Sequence, residues 1–238
     1  MGTDRGQKVA VITGASQGIG AGLVEAFRKL GYGVVATSRT ITPATDPDMV
    51  IVQGDIADAD TADRVVAAAL SRFGRIDTLV NNAGVFIAKP FTDYTDDDFA
   101  AMIGVNLAGF FHLTRRALRP MLDQGNGHIV NITTSLVDNP SSTVPSVLAS
   151  LTKGGLTAAT RSMAVEYAKR GVRVNAVSPG IIATPMHAAD DHETLAALHP
   201  LGRIGETGDI VDGVLYLESA PFVTGEILHI DGGQSAGH

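Results

Sequence analysis

Three groups of residues in this 238-residue chain have types and spacing that could do chemistry. The first is Gly14-Ala15-Ser16-Gln17-Gly18-Ile19-Gly20, which follows the β-branched run Val9–Thr13 at once and leads into the helical pattern Ile19, Leu23, Phe27, Leu30. Glycines let a backbone turn tightly and approach a pyrophosphate, whose charge suits the N–H groups at a helix start. The G-x-x-x-G-x-G spacing differs from the commoner G-x-G-x-x-G, but the strand, loop, helix context is what gives a glycine motif meaning. The second group is Ser38-Arg39, at the end of a strand predicted over Gly33–Ser38. An acidic residue near that point would accept from the ribose 2′-OH of NAD; an arginine with no Asp or Glu beside it suits a 2′-phosphate, which favours NADP. The third is Lys153, early in a long predicted helix, with Ala149 one turn before it and Thr133-Thr134-Ser135 closing another strand upstream.

The elements that must position these groups alternate. Strands are predicted at Val9–Thr13, Gly33–Ser38, Met49–Gln53, Asp77–Val80, His128–Ile132, Arg173–Val177 and Glu226–Ile230. Between them, helical spacing runs from about Asp60 to Phe73, from Asp96 to about Leu122, from near Pro145 to Arg170, and from Asp209 to Leu217. Pro120 and then Gly125-Asn126-Gly127 are expected to close the second of these, and Pro145 suits the first turn of the third. Alternating strands and helices predict an α/β domain in which Thr133-Thr134-Ser135 sits at a strand's carboxyl end, where open sheets place their ligands. Asp55 is expected to contact adenine or to cap the next helix. Asn106, polar inside an apolar helix, needs a partner or a function. Residues 185–205 read as a lid; its His187, His192 and His199 lack a paired metal-ligand spacing and are taken as lid residues.

Composition narrows the classes. Charged residues make up 18% and hydrophobic residues 45%, as in a globular protein with a sizeable core. The net charge is −7 with no basic block, so nucleic acid is not an expected partner. The absence of cysteine excludes disulfides, thiolate chemistry and Cys-ligated zinc. The single short apolar run at the N-terminus is too short for a signal h-region or a membrane span, so a soluble, cytoplasmic protein is expected.

With these residues in hand, the chain resembles the short-chain dehydrogenase/reductase family over nearly its whole length. The resemblance rests on Thr13-Gly14-x-x-x-Gly18-Ile19-Gly20, Asp55, Asn81-Asn82-Ala83-Gly84, Asn106, Lys153, Ser178-Pro179-Gly180 with Thr184, and Asp231-Gly232-Gly233. The nearest subgroup in look is that of the 3-oxoacyl-carrier-protein reductases and the sugar or polyol dehydrogenases. The family resemblance implies a Rossmann-like doubly wound sheet of about seven parallel strands, with helices on both faces, in a single domain. It also implies NAD(P)-dependent chemistry on a small-molecule carbonyl or alcohol, and a homotetramer or homodimer. The cofactor contacts it implies are Gly14, Ser16, Gln17, Gly18, Ile19, Gly20, Ser38, Arg39, Asp55, Ile56, Asn82, Ala83, Gly84, Lys153, Pro179, Gly180, Ile182 and Thr184. In such a site Lys153 would bind the nicotinamide ribose and Asn106 would hold a water. The substrate-binding hydroxyl falls on Thr134 by position or on Ser135 by residue type.

The family's tyrosine, which delivers the proton, falls on Ala149. Alanine has no proton to give, and general acid–base help is worth ~10²–10⁴ in rate. Tyr32, Tyr94, Tyr167 and Tyr216 all lie too far along the chain to replace it by sequence alone. Three readings follow. The chain is a reductase whose proton comes from Lys153, Ser146, Ser150 or a water; or a nucleotide-binding sensor or scaffold that has lost turnover; or an enzyme of altered chemistry using a lid histidine, His187 foremost.

Overall fold

A computed structural model describes residues 6–187 and 191–237. Its strands are β1 (Val9–Thr13), β2 (Gly33–Ser38), β3 (Met49–Gln53), β4 (Thr78–Asn81), β5 (Gly127–Ile132), β6 (Val172–Pro179) and β7 (Ile227–Ile230). They form one sheet in the order β3-β2-β1-β4-β5-β6-β7, with every neighbouring pair parallel. The strand order reverses between β1 and β4, which opens a crevice at their carboxyl ends.

Runs such as Val9-Ala10-Val11-Ile12 lack polar alternation because both faces of the sheet are covered. Successive side chains take opposite faces. Val9, Val11, Leu79, Ile129 and Val174 pack with Val65 of α2 (Ala59–Phe73) and Leu113 and Ala117 of α4 (Phe110–Gln124). Ala10, Ile12, Val34, Val80 and Val177 pack with Leu23 and Phe27 of α1 (Gly18–Lys29) and Ile210 and Val214 of α7 (Thr207–Ser219). The remaining helices are α3 (Asp96–Met102), α5 (Val147–Tyr167) and α6 (His192–Ala196). No helix among the described residues is long and apolar enough to cross a membrane.

Several boundaries differ from the sequence expectation. Pro120 does not close its helix: α4 continues through it to Gln124 and ends on left-handed Gly125. A proline more than a turn beyond the helix start costs a hydrogen bond but does not stop a helix packed as α4 is. Between α3 and α4 the helix widens into a π-helical segment, Ile103–Gly109, centred on Asn106. Helix α5 starts at Val147 behind the N-cap Ser146, leaving Pro145 outside it, and passes into a 3₁₀ turn at Ala168–Arg170. β7 begins one residue later than expected, at Ile227, and β6 runs on through Pro179. In the 185–205 region the described elements are a 3₁₀ turn, Pro185–His187, and α6; residues 188–190 of the expected lid lie outside the described residues.

Candidate active site

The crevice at the strands' carboxyl ends is a cavity of about 670 Å³. It is walled by the loops that follow β1, β2, β3, β4, β5 and β6, by α5, by Pro185, Met186, His187, Asp191, Thr194 and Leu195, and by Gln234. Gly14, Ser16, Gln17, Gly18 and Ile19 line it at the start of α1. The N-cap position of α1, Gln17, makes no side-chain cap and the first turn holds no acidic residue, so the amino end of the helix keeps its N–H groups and its positive dipole for an anion. Ser38, Arg39, Asp55, Ile56, Asn82, Ala83, Gly84, Pro179, Gly180, Ile182 and Thr184 also line the cavity. Arg39 is exposed, and its guanidinium has no hydrogen-bond or ion-pair partner among the described residues.

Gly20 is not part of the wall. A Cβ there would lie 2.1 Å from the Gly14 carbonyl oxygen and 2.7 Å from Asn82 Nδ2, so its glycine is needed to fold the loop onto β1 and not to touch a ligand. Asn82 Nδ2 donates to the Thr13 carbonyl at 2.9 Å, and Thr13 Oγ1 accepts from the N–H groups of Asn82 and Ala83. Thr13 thereby splices the β1 and β4 loops together. Asp55 does not cap the following helix: its Oδ1 accepts from Ala57 N at 3.0 Å, closing a turn, while Asp58 holds the N-cap position.

Lys153 lines the cavity and is only 9% exposed. Its Nζ donates to the Ile132 carbonyl at 2.7 Å, and no carboxylate among the described residues pairs with it. Burial alone brings its pKa down to about 8. A Cβ at Gly84 would stand 2.9 Å from Nζ, so glycine at that position admits the ammonium to the cavity edge. Asn106 does not line the cavity. Its Oδ1 accepts from Val85 N at 2.9 Å, and its Nδ2 donates to Val85 O at 3.0 Å and to Thr152 Oγ1 at 3.1 Å. Both amide donors are spent, which leaves only a second lone pair of Oδ1 for a water. The π-helical widening turns this amide onto the β4 loop, where it fixes Gly84-Val85.

Thr134 and Ser135 both line the cavity. Thr134 Oγ1 accepts from Leu136 N, while Ser135 Oγ donates to Gln234 Oε1 at 2.7 Å. Ala149 lies against the same space, and none of the chain's four tyrosines lines it. Tyr94 packs near Leu148 and Ala149, but its hydroxyl donates to the Ile87 carbonyl at 2.7 Å. Ser150 Oγ donates to Leu136 O at 3.2 Å, and neither Ser146 nor Ser150 lines the cavity, so the helix face they were expected to share with Lys153 does not deliver them to it.

Of the lid histidines, His187 lines the cavity and His192 is exposed. His199 is not a lid residue. It is buried, donates from Nδ1 to Leu195 O at 3.0 Å and accepts at Nε2 from Ile181 N at 3.0 Å, which fixes a neutral imidazole behind the β6 loop. The residue that sequence reasoning missed is Gln234. It reaches the site from the C-terminal turn, and no local pattern ties it to Ser135.

A doubly wound parallel sheet with a glycine-walled cavity at its switch point is the frame of a Rossmann-type protein. A family model described as enoyl-(acyl carrier protein) reductase matches residues 14–235. The chain is 34% identical to a 3-oxoacyl-[acyl-carrier-protein] reductase of Synechocystis over 95% of its own length and 96% of the relative. It superposes on ElxO with NADP bound at a TM-score of 0.89 and 31% identity, covering 97% of this chain and 100% of that one. It also superposes on a 3-ketoacyl-(acyl-carrier-protein) reductase from Brucella melitensis complexed with NADH, at a TM-score of 0.89 and 30% identity, covering 96% and 98%. The chain belongs to the short-chain dehydrogenase/reductase family of oxidoreductases.

Proposed function

We propose that this oxidoreductase uses NADP(H) to interconvert a small or medium carbonyl compound and its alcohol, with Lys153 taking over the proton step from the tyrosine that Ala149 replaces. The observation that carries this reading is Lys153 itself: a buried ammonium at the cavity wall, unpaired with any carboxylate among the described residues, which burial brings to about 8. A group with that pKa exchanges protons near neutrality, as a general acid must. One N–H of Nζ is held by the Ile132 carbonyl, which aims the side chain; the others remain to reach a substrate oxygen. Thr134 and Ser135 stand at the same wall to bind that oxygen.

The residues present suit the cofactor. The uncapped start of α1 would receive a pyrophosphate, and the partnerless Arg39 guanidinium with Ser38 would receive a 2′-phosphate. When bound, NADPH supplies the hydride. Met186, His187, Asp191, Thr194 and Leu195 all line the cavity, which supports the lid assigned to residues 185–205. The exposed apolar side chains Phe99, Phe111 and Leu151 on α3, α4 and α5 support a homotetramer or homodimer, and the mixed, mildly acidic surface suits a cytoplasmic protein.

The second reading, a nucleotide-binding sensor with little turnover, is favoured by one observation: no tyrosine lines the cavity. A single-turnover experiment separates the two. Enzyme-bound NADPH is mixed with ketones, 3-oxoacyl thioesters and sugar-derived carbonyls, and loss of the reduced-nicotinamide signal is followed in the wild type and in Ala149→Tyr. Turnover by the wild type on at least one compound is expected. Turnover confined to Ala149→Tyr would overturn the lysine assignment in favour of the sensor.

A further inference from the structure

Gln234 opens the 3₁₀ turn Gln234–Ala236, and this turn is tightly held. The Asp231 carboxylate accepts from Gly233 N at 3.0 Å and Ser235 N at 2.8 Å, and Asn139 Nδ2 donates to the Gln234 carbonyl. The side chain is 3% exposed and points at the 1% exposed Ser135, whose hydroxyl donates to Oε1. Both residues line the cavity. The Ser135 proton is therefore committed, and Gln234 Nε2 keeps two N–H groups for which no acceptor exists among the described residues. Gln234 lines the cavity, so these N–H groups are open to a ligand oxygen or a water there. Rotating the amide changes the donor but not the outcome. Nε2 would then donate to Ser135 Oγ and release the Ser135 O–H towards the cavity, so the pair offers a donor either way.

We propose that Gln234 is a substrate-oxygen-binding residue: locked against Ser135, its amide donates a hydrogen bond to the carbonyl or hydroxyl oxygen of the substrate. This rests on the carbonyl/alcohol reading above. A primary amide does not ionise in the working range, so it binds and orients the oxygen and leaves proton delivery to Lys153. It also gives Ser135 a different part from a lone substrate-binding serine, since its hydroxyl acts jointly with an amide from the far end of the chain.

The test compares acetophenone with ethylbenzene, a hydrocarbon of similar shape without the oxygen, by ligand-observed NMR titration of the protein with and without NADP⁺. NADP⁺ itself cannot reduce the ketone, so binding is read without turnover. The wild type is expected to bind acetophenone about tenfold more tightly than ethylbenzene, the scale of one buried hydrogen bond. Gln234→Leu removes the amide; Gln234→Glu keeps an acceptor for Ser135 and so preserves the turn while removing the donor. Both should cut the preference for the ketone to within about twofold while ethylbenzene binding stays unchanged. No preference in the wild type, or a preference kept in Gln234→Glu, would overturn the proposal. NADP⁺ affinity, measured by calorimetry on the same samples, decides the cofactor reading separately: its absence in the wild type sinks that reading, and the comparison without NADP⁺ still decides Gln234.

Discussion

At the amino-terminal edge of the sheet, Glu218 of α7 accepts from Tyr32 Oη at 2.9 Å, Thr78 Oγ1 at 3.0 Å and His128 Nδ1 at 2.7 Å. Asn175 Nδ2 donates to His128 Nε2 at 3.1 Å, and its Oδ1 accepts from Glu226 N, which fixes the amide's orientation and with it a neutral His128 carrying its proton on Nδ1. Arg173 closes the network by donating to the carbonyls of Leu217, Glu218 and Val223. At the carboxyl edge of the same sheet, among the described residues, Lys153 has one carbonyl and no counter-charge, Arg39 has no side-chain partner, and Gln234 has spare N–H groups. Both edges bury polar groups, but only the first satisfies them. A saturated network locks a structure, whereas an unsaturated one has valence left for a ligand. The difference also appears in the ionisations. Burial opposes the charge on Glu218, yet the hydrogen bonds from His128, Tyr32 and Thr78 outweigh it and hold the carboxyl below its ordinary value. Burial holds His128 below its ordinary value against the pull of Glu218. Lys153 has only the burial.

The sharpest test of this contrast is Lys153→Met. It should slow single-turnover reduction by ~10²–10⁴, the usual worth of a general acid. The variant should melt no lower than the wild type, because deleting an uncompensated buried charge relieves its desolvation cost. A large fall in melting temperature would make Lys153 structural and erase the distinction between the two edges. Glu218→Leu should do the reverse. Denaturant titration should show a loss of roughly 3–5 kcal/mol, since three donors lose their shared acceptor, with the rate per folded molecule unchanged.

The two edges should also answer pH in opposite ranges. His128 and Glu218 both have folded-state values below their unfolded ones, so the unfolded chain binds more protons and stability falls on acidification. That loss should begin as pH drops through the ordinary histidine value of about 6.5 and deepen through the carboxylate range. At the other edge, reduction should fall about tenfold per pH unit above about 8, as Lys153 gives up its proton. Folding stability should meanwhile rise between about 8 and the ordinary lysine value of 10.5, because the unfolded chain holds the proton longer. A rate profile flat from pH 7 to 10 would remove Lys153 from the proton step. The smallest expected effect is that of Arg39→Asp, which should weaken NADPH about tenfold while leaving NADH nearly untouched. Equal weakening in calorimetric titrations would remove the 2′-phosphate assignment.

Local chemistry made much of this legible. The Val9–Thr13 run and the glycines behind it specify a buried strand and a tight, anion-ready turn within a dozen residues. Arg39 at a strand end and Lys153 in an apolar helix carry their meaning in residue type and position. Helix ends were less legible, because tertiary packing carries α4 through Pro120 and the amide of Asn106 takes its partners from the β4 loop upstream and from Thr152 of α5 downstream. His199 read as one of three lid histidines, and only the fold shows it buried behind the β6 loop with both ring nitrogens engaged.

What the sequence determined by itself was the sheet and the glycine loop at the start of α1, since each rests on contiguous residues and short-range periodicity. What only the tertiary structure decided was which polar groups are saturated: that the Asn106 amide donors and the Ser150 hydroxyl are spent, that Lys153 has no carboxylate partner among the described residues, and that Gln234 reaches Ser135 across 99 residues. Hydrogen-bond satisfaction belongs to pairs of groups, and a folded chain chooses its pairs by proximity in space.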